Sequence, residues 1–524
     1  MSRSFAAMAG LAGLWAVFAV ALMWPGALAI TKHSGDALHM IDIVERLALG
    51  QVPHRDFMTP IGILAFCPIA LLVTAGLSVG QAFLVAQVGL GAVLGALAWA
   101  FARPRVEPGW ALGLAALVLI LTMALVHGEA EIAVSVSMHY NRWAWAIAFI
   151  VVFAAFLPRE DGAAWEGPLI GLLMAALALM KVTYFAVLAP LVVLGMLVTG
   201  QRMALAIALV TGAIVAVLLT GLFGIGYWVA YVGDLLAVAR SEIRAQPGLD
   251  LAQIFTAPAY LLGTLVAFAS VILLGRGGYE VEGLLVLLLT LAGGYITYQN
   301  FGNDPQWLAL LALLLAVWAV EAPTSGPRVP LALSAMALAA MVAPSFINMA
   351  ASPLRHASID RSDYMPLLAG GDRHQDLLVS RVKGNRIRGD VALDGYLAFD
   401  PKPGPEPTIF QGETLPDCRT EPVAGYFGTL AADLRERGLA QGAGVFTMDI
   451  LNPYWLYGDH PPLRGGTPWY YNGTPGLADA QFVLLPSCPV LTRVRGLIAA
   501  ELEGVAMEEV ARTELYTLYA LEAN

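Results

Sequence analysis

Long apolar runs constrain this chain more than any other feature of its sequence. A helix needs about 20 apolar residues to span a bilayer. Twelve runs approach or exceed that length, at residues 5–30, 60–77, 81–102, 110–126, 143–157, 168–180, 182–199, 203–223, 254–274, 283–298, 307–320 and 330–349. The series predicts a polytopic α-helical membrane protein, and we expect its first run to be an uncleaved membrane anchor.

Charged residues divide the chain into two parts. Residues 1–350 carry 31 charged side chains, whereas the much shorter segment 351–524 carries 37. We therefore predict a transmembrane module over residues 1–350 and a soluble tail over residues 351–524. Only 13% of the whole chain is charged, against about 25% in ordinary soluble domains. This composition excludes a soluble globular enzyme and argues against a nucleic-acid partner.

Arginines in the short loops indicate the orientation, because Lys and Arg favour the cytoplasmic side. If every run crossed the membrane, the arginines of the loop at 103–105 and of the later short loops would lie on the outside. They all return inside if the run at 60–77, which contains Pro60 and Pro68, lies at the interface instead. We therefore predict about eleven crossings, a long first external loop at 31–80 with an interfacial helix near 60–77, and an extracytoplasmic tail.

Asp36 is the first candidate functional residue. It follows the first crossing directly and lies near the start of a short amphipathic helix. A carboxylate at the bilayer edge can act as the general base for an acceptor hydroxyl. The alternative role is a structural one, in which the carboxylate caps the helix or interacts with its dipole.

Asp36, the short helix, the turn RLALGQVPHRDF at 46–57 and the proline-led run after it together resemble the GT-C superfamily of membrane glycosyltransferases. This superfamily includes protein mannosyltransferases and lipid A aminoarabinose transferases, which use polyprenyl-phosphate sugars. The resemblance covers roughly residues 1–350 and the general layout, although family members often have Glu where this chain has Ala37. It implies that Asp36 is the catalytic base. It also implies that the protein acts at the outer face of a bacterial-type inner membrane, in cell-envelope polysaccharide biosynthesis.

The resemblance also implies a second acidic residue in the second external loop, where Glu129 or Glu131 would fill the place. Asp56 is a further candidate for a second acid or for substrate positioning. The alternative for the second loop is a solvated segment flanked by interfacial aromatic residues.

Lys181 is the only charged residue between Glu166 and Arg202. A charge in lipid is costly, so such a residue faces a cavity or snorkels to the interface. At an external turn it can neutralise the phosphate of a lipid-linked sugar. Arg240 and Arg244, four residues apart on an expected helix, are further candidates for the donor phosphate, and interfacial anchoring is their alternative role.

Other polar side chains of the external segments are candidate sugar or acceptor contacts, namely His39, His54, Arg55, His139, Asn300 and Asp304. No tight spacing of His, Asp and Glu supports a metal site. We therefore expect no cofactor beyond the lipid-linked sugar as co-substrate, with a divalent metal as the alternative.

The tail alternates helix-like segments, among them DLLVSRVKG at 376–384, with strand-like segments, which predicts a small α/β domain. Within it, Cys418 and Cys488 would pair if the tail faces an oxidising compartment, and two free thiols are the alternative. We predict a glycosyltransferase that moves a sugar from a polyprenyl-phosphate donor to an acceptor hydroxyl on a glycan, lipid or protein. The alternatives are a transporter or flippase of a lipid-linked or anionic solute, and a non-catalytic assembly or export subunit.

Overall fold

The computed structural model of the chain describes residues 3–128, 130–159, 164–243, 252, 257–300, 304–322, 326–371, 373–384, 386–389, 397–399, 408–421, 424–458 and 460–522. Two candidate site residues, Glu129 and Arg244, lie outside the described residues.

The first two thirds of the chain are helical. The described helices of this part are α1 Arg3–Met23, α2 Ser34–Ala48, α3 Cys67–Thr74, α4 Val79–Ala102, α5 Pro108–Met123, α6 His139–Phe156, α7 Glu166–Met180, α8 Val182–Val198, α9 Arg202–Phe223, α10 Ile225–Ala239, α11 Pro258–Arg276, α12 Glu280–Gln299, α13 Trp307–Glu321 and α14 Arg328–Ala357. Six of the described helices are long and apolar enough to cross a membrane, and five further apolar helices are shorter. The chain is therefore a multi-pass helical membrane protein.

The segment between α1 and α4 begins and ends at the same end of the bundle. At one end, Arg103 Nε donates to Ser4 Oγ at 3.1 Å, which joins the start of α1 to the end of α4. At the other end, Leu28 N donates to Asp376 O at 2.8 Å and Gly80 N donates to Asp376 Oδ1 at 3.2 Å. The intervening helix α3 has 8 residues, which corresponds to about 12 Å and is too short to span a bilayer.

One described strand, β1 Leu28–Ile30, lies between α1 and α2, and the other described strands lie in the tail with three further α-helices. The strands are β2 Tyr364–Pro366, β3 Leu377–Ser380, β4 Arg386–Gly389, β5 Leu397–Phe399, β6 Ile409–Phe410, β7 Glu413–Thr414, β8 Cys418–Glu421, β9 Val445–Thr447, β10 Phe482–Pro486, β11 Met507–Arg512 and β12 Tyr516–Leu521. The helices are α15 Arg381–Gly384, α16 Ala424–Glu436 and α17 Thr492–Glu501.

Strand β10 is central in a four-stranded sheet of order β11-β12-β10-β9. It pairs parallel with β9, placing Phe482 opposite Val445, and antiparallel with β12, placing Val483 opposite Tyr519. Its residues Val483–Leu485 are all buried, which explains the continuous apolar sequence of this strand. A disulfide joins Cys418 to Cys488, so the alternative of two free thiols is not observed.

The membrane part and the tail share one small sheet. Residues 28–30 form strand β1, which pairs parallel with β3 of the tail in a sheet of order β1-β3-β2. The sequence DLLVSRVKG at 376–384 was expected to be helical, but its first half is β3. Pairing with the end of the first crossing overrides the local pattern. The expected division after residue 350 falls inside α14, which continues to Ala357.

Helix α2 lies between the membrane part and the tail, and most of its residues are buried. Arg46 Nε donates to Asp42 Oδ1 at 2.5 Å, and Trp455 of the tail donates to the other oxygen of Asp42 at 2.8 Å. Arg46 also donates to Leu463 O at 3.1 Å. These contacts fix the helix that carries Asp36 to the tail.

Candidate active site

Asp36 lies in the first turn of α2, where the positive end of the helix dipole favours a carboxylate. The chain enters the helix at His33, whose φ of 61° is in the left-handed region. The Asp36 side chain is half-buried and accepts a hydrogen bond from the hydroxyl of Ser137. Beside it, His33 Nδ1 lies 3.1 Å from Ser135 Oγ. The first and second external loops therefore meet at Asp36.

The second loop is held in place by a polar stripe on α14. Asn348 Nδ2 donates to Glu131 O at 2.8 Å, and Arg355 Nη1 donates to Ala133 O at 2.6 Å. Leu125 N donates to Ser352 Oγ at 2.8 Å. The stripe residues recur at helical spacing in an otherwise apolar sequence, at Ser345, Asn348, Ser352 and Arg355. That spacing is a signal that the sequence interpretation missed.

Glu131, a candidate second acid, forms a surface ion pair. Its carboxylate accepts from Lys32 Nζ at 2.6 Å, and its side chain is 62% exposed. Asp56, the other described candidate, closes a turn in which it accepts from Val52 N at 2.7 Å and from Arg55 Nη2 at 2.9 Å. Partial burial raises the pKa of Asp56, but the hydrogen bonds from Arg55 and Val52 outweigh it and hold that pKa below its usual value. Asp56 therefore interacts within its own turn, and Glu131 forms an ion pair with Lys32.

Lys181 forms the break between α7 and α8 and is buried there. Its Nζ lies over the ring of Tyr140, 5.3 Å from the centroid, and Tyr140 follows Ser137 by three residues. The first loop also packs against this break. Gly62 N donates to Met180 O at 3.2 Å, and a Cβ on Gly62 would lie 2.1 Å from Leu179 O. The residues 137–140 therefore touch both Asp36 and Lys181.

An apolar cavity of about 390 Å³ runs between α7, α8 and α9. Its lining includes Ala178 and Leu179 at the end of α7 and Phe185 near the start of α8, so it reaches the turn that carries Lys181. A larger apolar cavity of about 600 Å³ lies among α5, α13 and α14. Neither cavity is lined by Asp36 or Lys181, and the larger one lies between helices that do not carry the Lys181 turn.

Asp234 on α10 fixes the turn of the first loop. His54 Nδ1 lies 2.8 Å from Asp234 Oδ2, and Thr59 N donates to the same oxygen at 3.0 Å. The His54 ring stacks on Tyr231 at 4.1 Å between centroids, and Tyr231 donates to Ala178 O at 3.0 Å. His54 therefore connects the first loop to α10, and Tyr231 connects α10 to α7.

The other candidate contacts lie in different environments. His139 is buried among aromatic rings, and its Nε2 lies 2.8 Å from Ala65 O, which places it in the packing beneath the first loop. His39 packs against Trp469 of the tail. Asn300, which directly follows α12, is buried and donates to Ile296 O of that helix at 2.7 Å, while Asp304 is half-buried just before α13.

The exposed Arg55 belongs to the turn of Asp56. Arg240 is also exposed and directly follows α10, which ends at Ala239, so the expectation that it lies within a helix is wrong. Within the described ranges, no group of three or more His, Cys, Asp or Glu side chains is placed to hold a metal ion.

The chain is similar to proteins of known structure. No family model and no curated protein matches the chain. Among the solved structures that match is the crystal structure of ArnT from Cupriavidus metallidurans in the apo state. The match covers 99% of this chain and 98% of that chain, with 12% identity and a TM-score of 0.40.

Proposed function

We propose that the protein is a membrane glycosyltransferase. It moves a sugar from a polyprenyl-phosphate donor to an acceptor hydroxyl at the outer face of a bacterial-type inner membrane. The observation that carries this proposal is the joint attachment of Asp36 and Lys181 to residues 137–140, by the Ser137 hydroxyl and the Tyr140 ring. An anionic base and a cation held by one short segment suit a reaction in which a hydroxyl loses a proton and a phosphate leaves.

Asp36 is the base in this proposal. The acceptor hydroxyl gives its proton to the Asp36 carboxylate while its oxygen attacks the anomeric carbon of the sugar. The bond between that carbon and the phosphate oxygen breaks, and its electron pair leaves with the polyprenyl phosphate. Attack from the face opposite the phosphate inverts the anomeric configuration. The Ser137 hydroxyl, which donates to Asp36, orients the carboxylate for this step.

Lys181 stabilises the leaving phosphate. A cation placed where negative charge develops lowers the barrier most in a site that excludes water, and Lys181 is buried. The apolar cavity between α7, α8 and α9 reaches the same turn and suits the hydrocarbon chain of the donor. In this proposal the phosphate of the donor binds at Lys181, and its hydrocarbon chain binds in the adjacent apolar cavity.

The proposed function also requires a particular membrane topology. We infer about eleven crossings, with the first loop, the Lys181 turn, α10 and the tail on the extracytoplasmic side. The Cys418–Cys488 disulfide supports an oxidising location for the tail. A phosphatase reporter fused after Gly80 should be active, and one fused after Arg105 should be inactive. An inactive fusion after Gly80 would overturn this orientation.

Transfer is tested with the purified protein in proteoliposomes. A panel of radiolabelled undecaprenyl-phosphate sugars is supplied with octyl glycosides as acceptors, and the product's anomeric configuration is read by NMR. We expect a donor-dependent product with inverted configuration. Movement of the labelled donor across the bilayer without any product would favour the flippase alternative and contradict the proposal.

A further inference from the structure

Trp469 belongs to the tail but lies against the helix that carries Asp36. Its ring centroid is 5.5 Å from that of His39, which follows Asp36 by three residues on α2. Side chains three residues apart are neighbours on one helix face. A tryptophan of the tail therefore packs on a residue that lies one helical turn from the proposed base.

The loop that carries Trp469 is fixed to the first external loop by backbone hydrogen bonds. Gly465 N donates to Asp56 O at 2.9 Å, and Met58 N donates to Gly466 O at 3.0 Å. Beyond the tryptophan, Ser241 Oγ donates to Tyr471 O at 2.5 Å. The loop spans from the first external loop to the end of α10, so the membrane part sets the position of Trp469.

Trp469 also differs in exposure from the aromatic residues around it. Trp455, Tyr470 and Tyr471 are buried, and the Trp455 indole N–H is bound by Asp42. Trp469 is only half-buried. A partly exposed indole that packs on His39, one helical turn from the Asp36 carboxylate, is a surface on which a ring can stack.

We propose that Trp469 is a specificity-determining residue that stacks the acceptor, and that the acceptor hydroxyl belongs to a sugar ring. This inference rests on the proposed function, which leaves glycan, lipid and protein acceptors open. The C–H face of a pyranose packs on an indole, while its hydroxyl groups remain at the ring edge for hydrogen bonding. An alkyl alcohol or a serine peptide has no such ring and gains nothing from the indole.

The test compares octyl glucoside with 1-octanol, which has the same chain but no sugar, both below the micellar concentration. The wild-type protein should use octyl glucoside in strong preference to 1-octanol. Trp469→Ala should raise KM for octyl glucoside about three- to tenfold, the size of one aromatic stacking contact, with the donor KM unchanged. Trp469→Phe should retain part of the preference. Trp24→Ala, which removes an exposed tryptophan after α1, is the matched control and should change neither value.

An unchanged KM for octyl glucoside in Trp469→Ala would overturn the inference while leaving the proposed function intact, provided that Asp36→Asn still abolishes transfer. An equal rise in the donor and acceptor KM would also overturn it, because that would indicate a general disturbance of the loop. If Trp469→Ala does not fold, the wild-type preference decides, and equal use of octyl glucoside and 1-octanol would contradict the inference. Full activity of Asp36→Asn would instead count against the proposed function itself.

Discussion

Two carboxylates at opposite ends of the helical bundle are held in different ways. At one end, Arg105 and Glu166 form an ion pair whose side chains are 1% and 2% exposed, and Arg159 approaches the same carboxylate at 3.4 Å. At the other end, Asp36 is half-buried and accepts a hydrogen bond from a hydroxyl, that of Ser137. The first arrangement neutralises buried charge and stabilises the bundle. The second places a half-buried carboxylate next to a neutral hydroxyl, which suits general-base chemistry.

The largest effect is expected at Asp36. Asp36→Asn removes the base but keeps an oxygen that can accept from Ser137, so the fold should be retained. Transfer should fall by about 10²- to 10⁴-fold, the usual contribution of a general base. Initial rates and the thermal unfolding midpoint are measured on the same preparation. A fully active Asp36→Asn protein would remove the contrast between the two ends.

Arg105→Ala should act on stability. It leaves Glu166 buried without its main partner, which costs about 3–5 kcal/mol, while the rate per folded molecule stays near that of the wild type. Thermal unfolding in detergent and active-site titration separate the two quantities. The double variant Arg105→Met with Glu166→Leu is the control and should recover most of the stability. A loss of rate at unchanged stability would show that this end also takes part in function.

Lys181→Met preserves the length and the packing of the side chain but removes its charge. The rate should fall by about 10²- to 10³-fold, as when a group that stabilises developing negative charge is removed. Lys181→Arg should restore part of it. Rates are compared with tritiated undecaprenyl phosphate binding, which should weaken in Lys181→Met. Unchanged binding and rate would mean that Lys181 only snorkels.

Ser137→Ala should give the smallest effect. Because the hydroxyl orients a carboxylate that remains in place, the rate should fall only about tenfold, close to the lower limit for the loss of one hydrogen bond to a charged group. Ser137→Thr retains a hydroxyl and is the matched control. A Ser137→Ala protein that loses stability but not rate would give this contact a purely structural role.

The local features of the site were predictable from the sequence. An aspartate at the start of a short helix and a lone lysine within an apolar stretch are visible in their immediate neighbours. Their partners were not predictable, because Ser137 is 101 residues from Asp36 and hydrophobic periodicity describes only local structure. The strand at 377–380 was missed for the same reason, since its partner β1 lies at the end of the first crossing.

His54 shows a second limit of the sequence. It is adjacent to Arg55 and Asp56 in a polar turn, so it was expected to contact substrate. In the fold it binds Asp234 of α10, 180 residues away, and stacks on Tyr231. Only the packing of α10 against the first loop distinguishes a positioning histidine from one that faces a ligand.

The most direct test of the central claim is a cryo-EM map of the protein with undecaprenyl phosphate added. The account predicts density for the phosphate against Lys181 Nζ, density for the lipid chain between α7, α8 and α9, and Asp36 facing the same space as the phosphate. Lipid phosphate bound elsewhere, with the Lys181 turn empty, would contradict it.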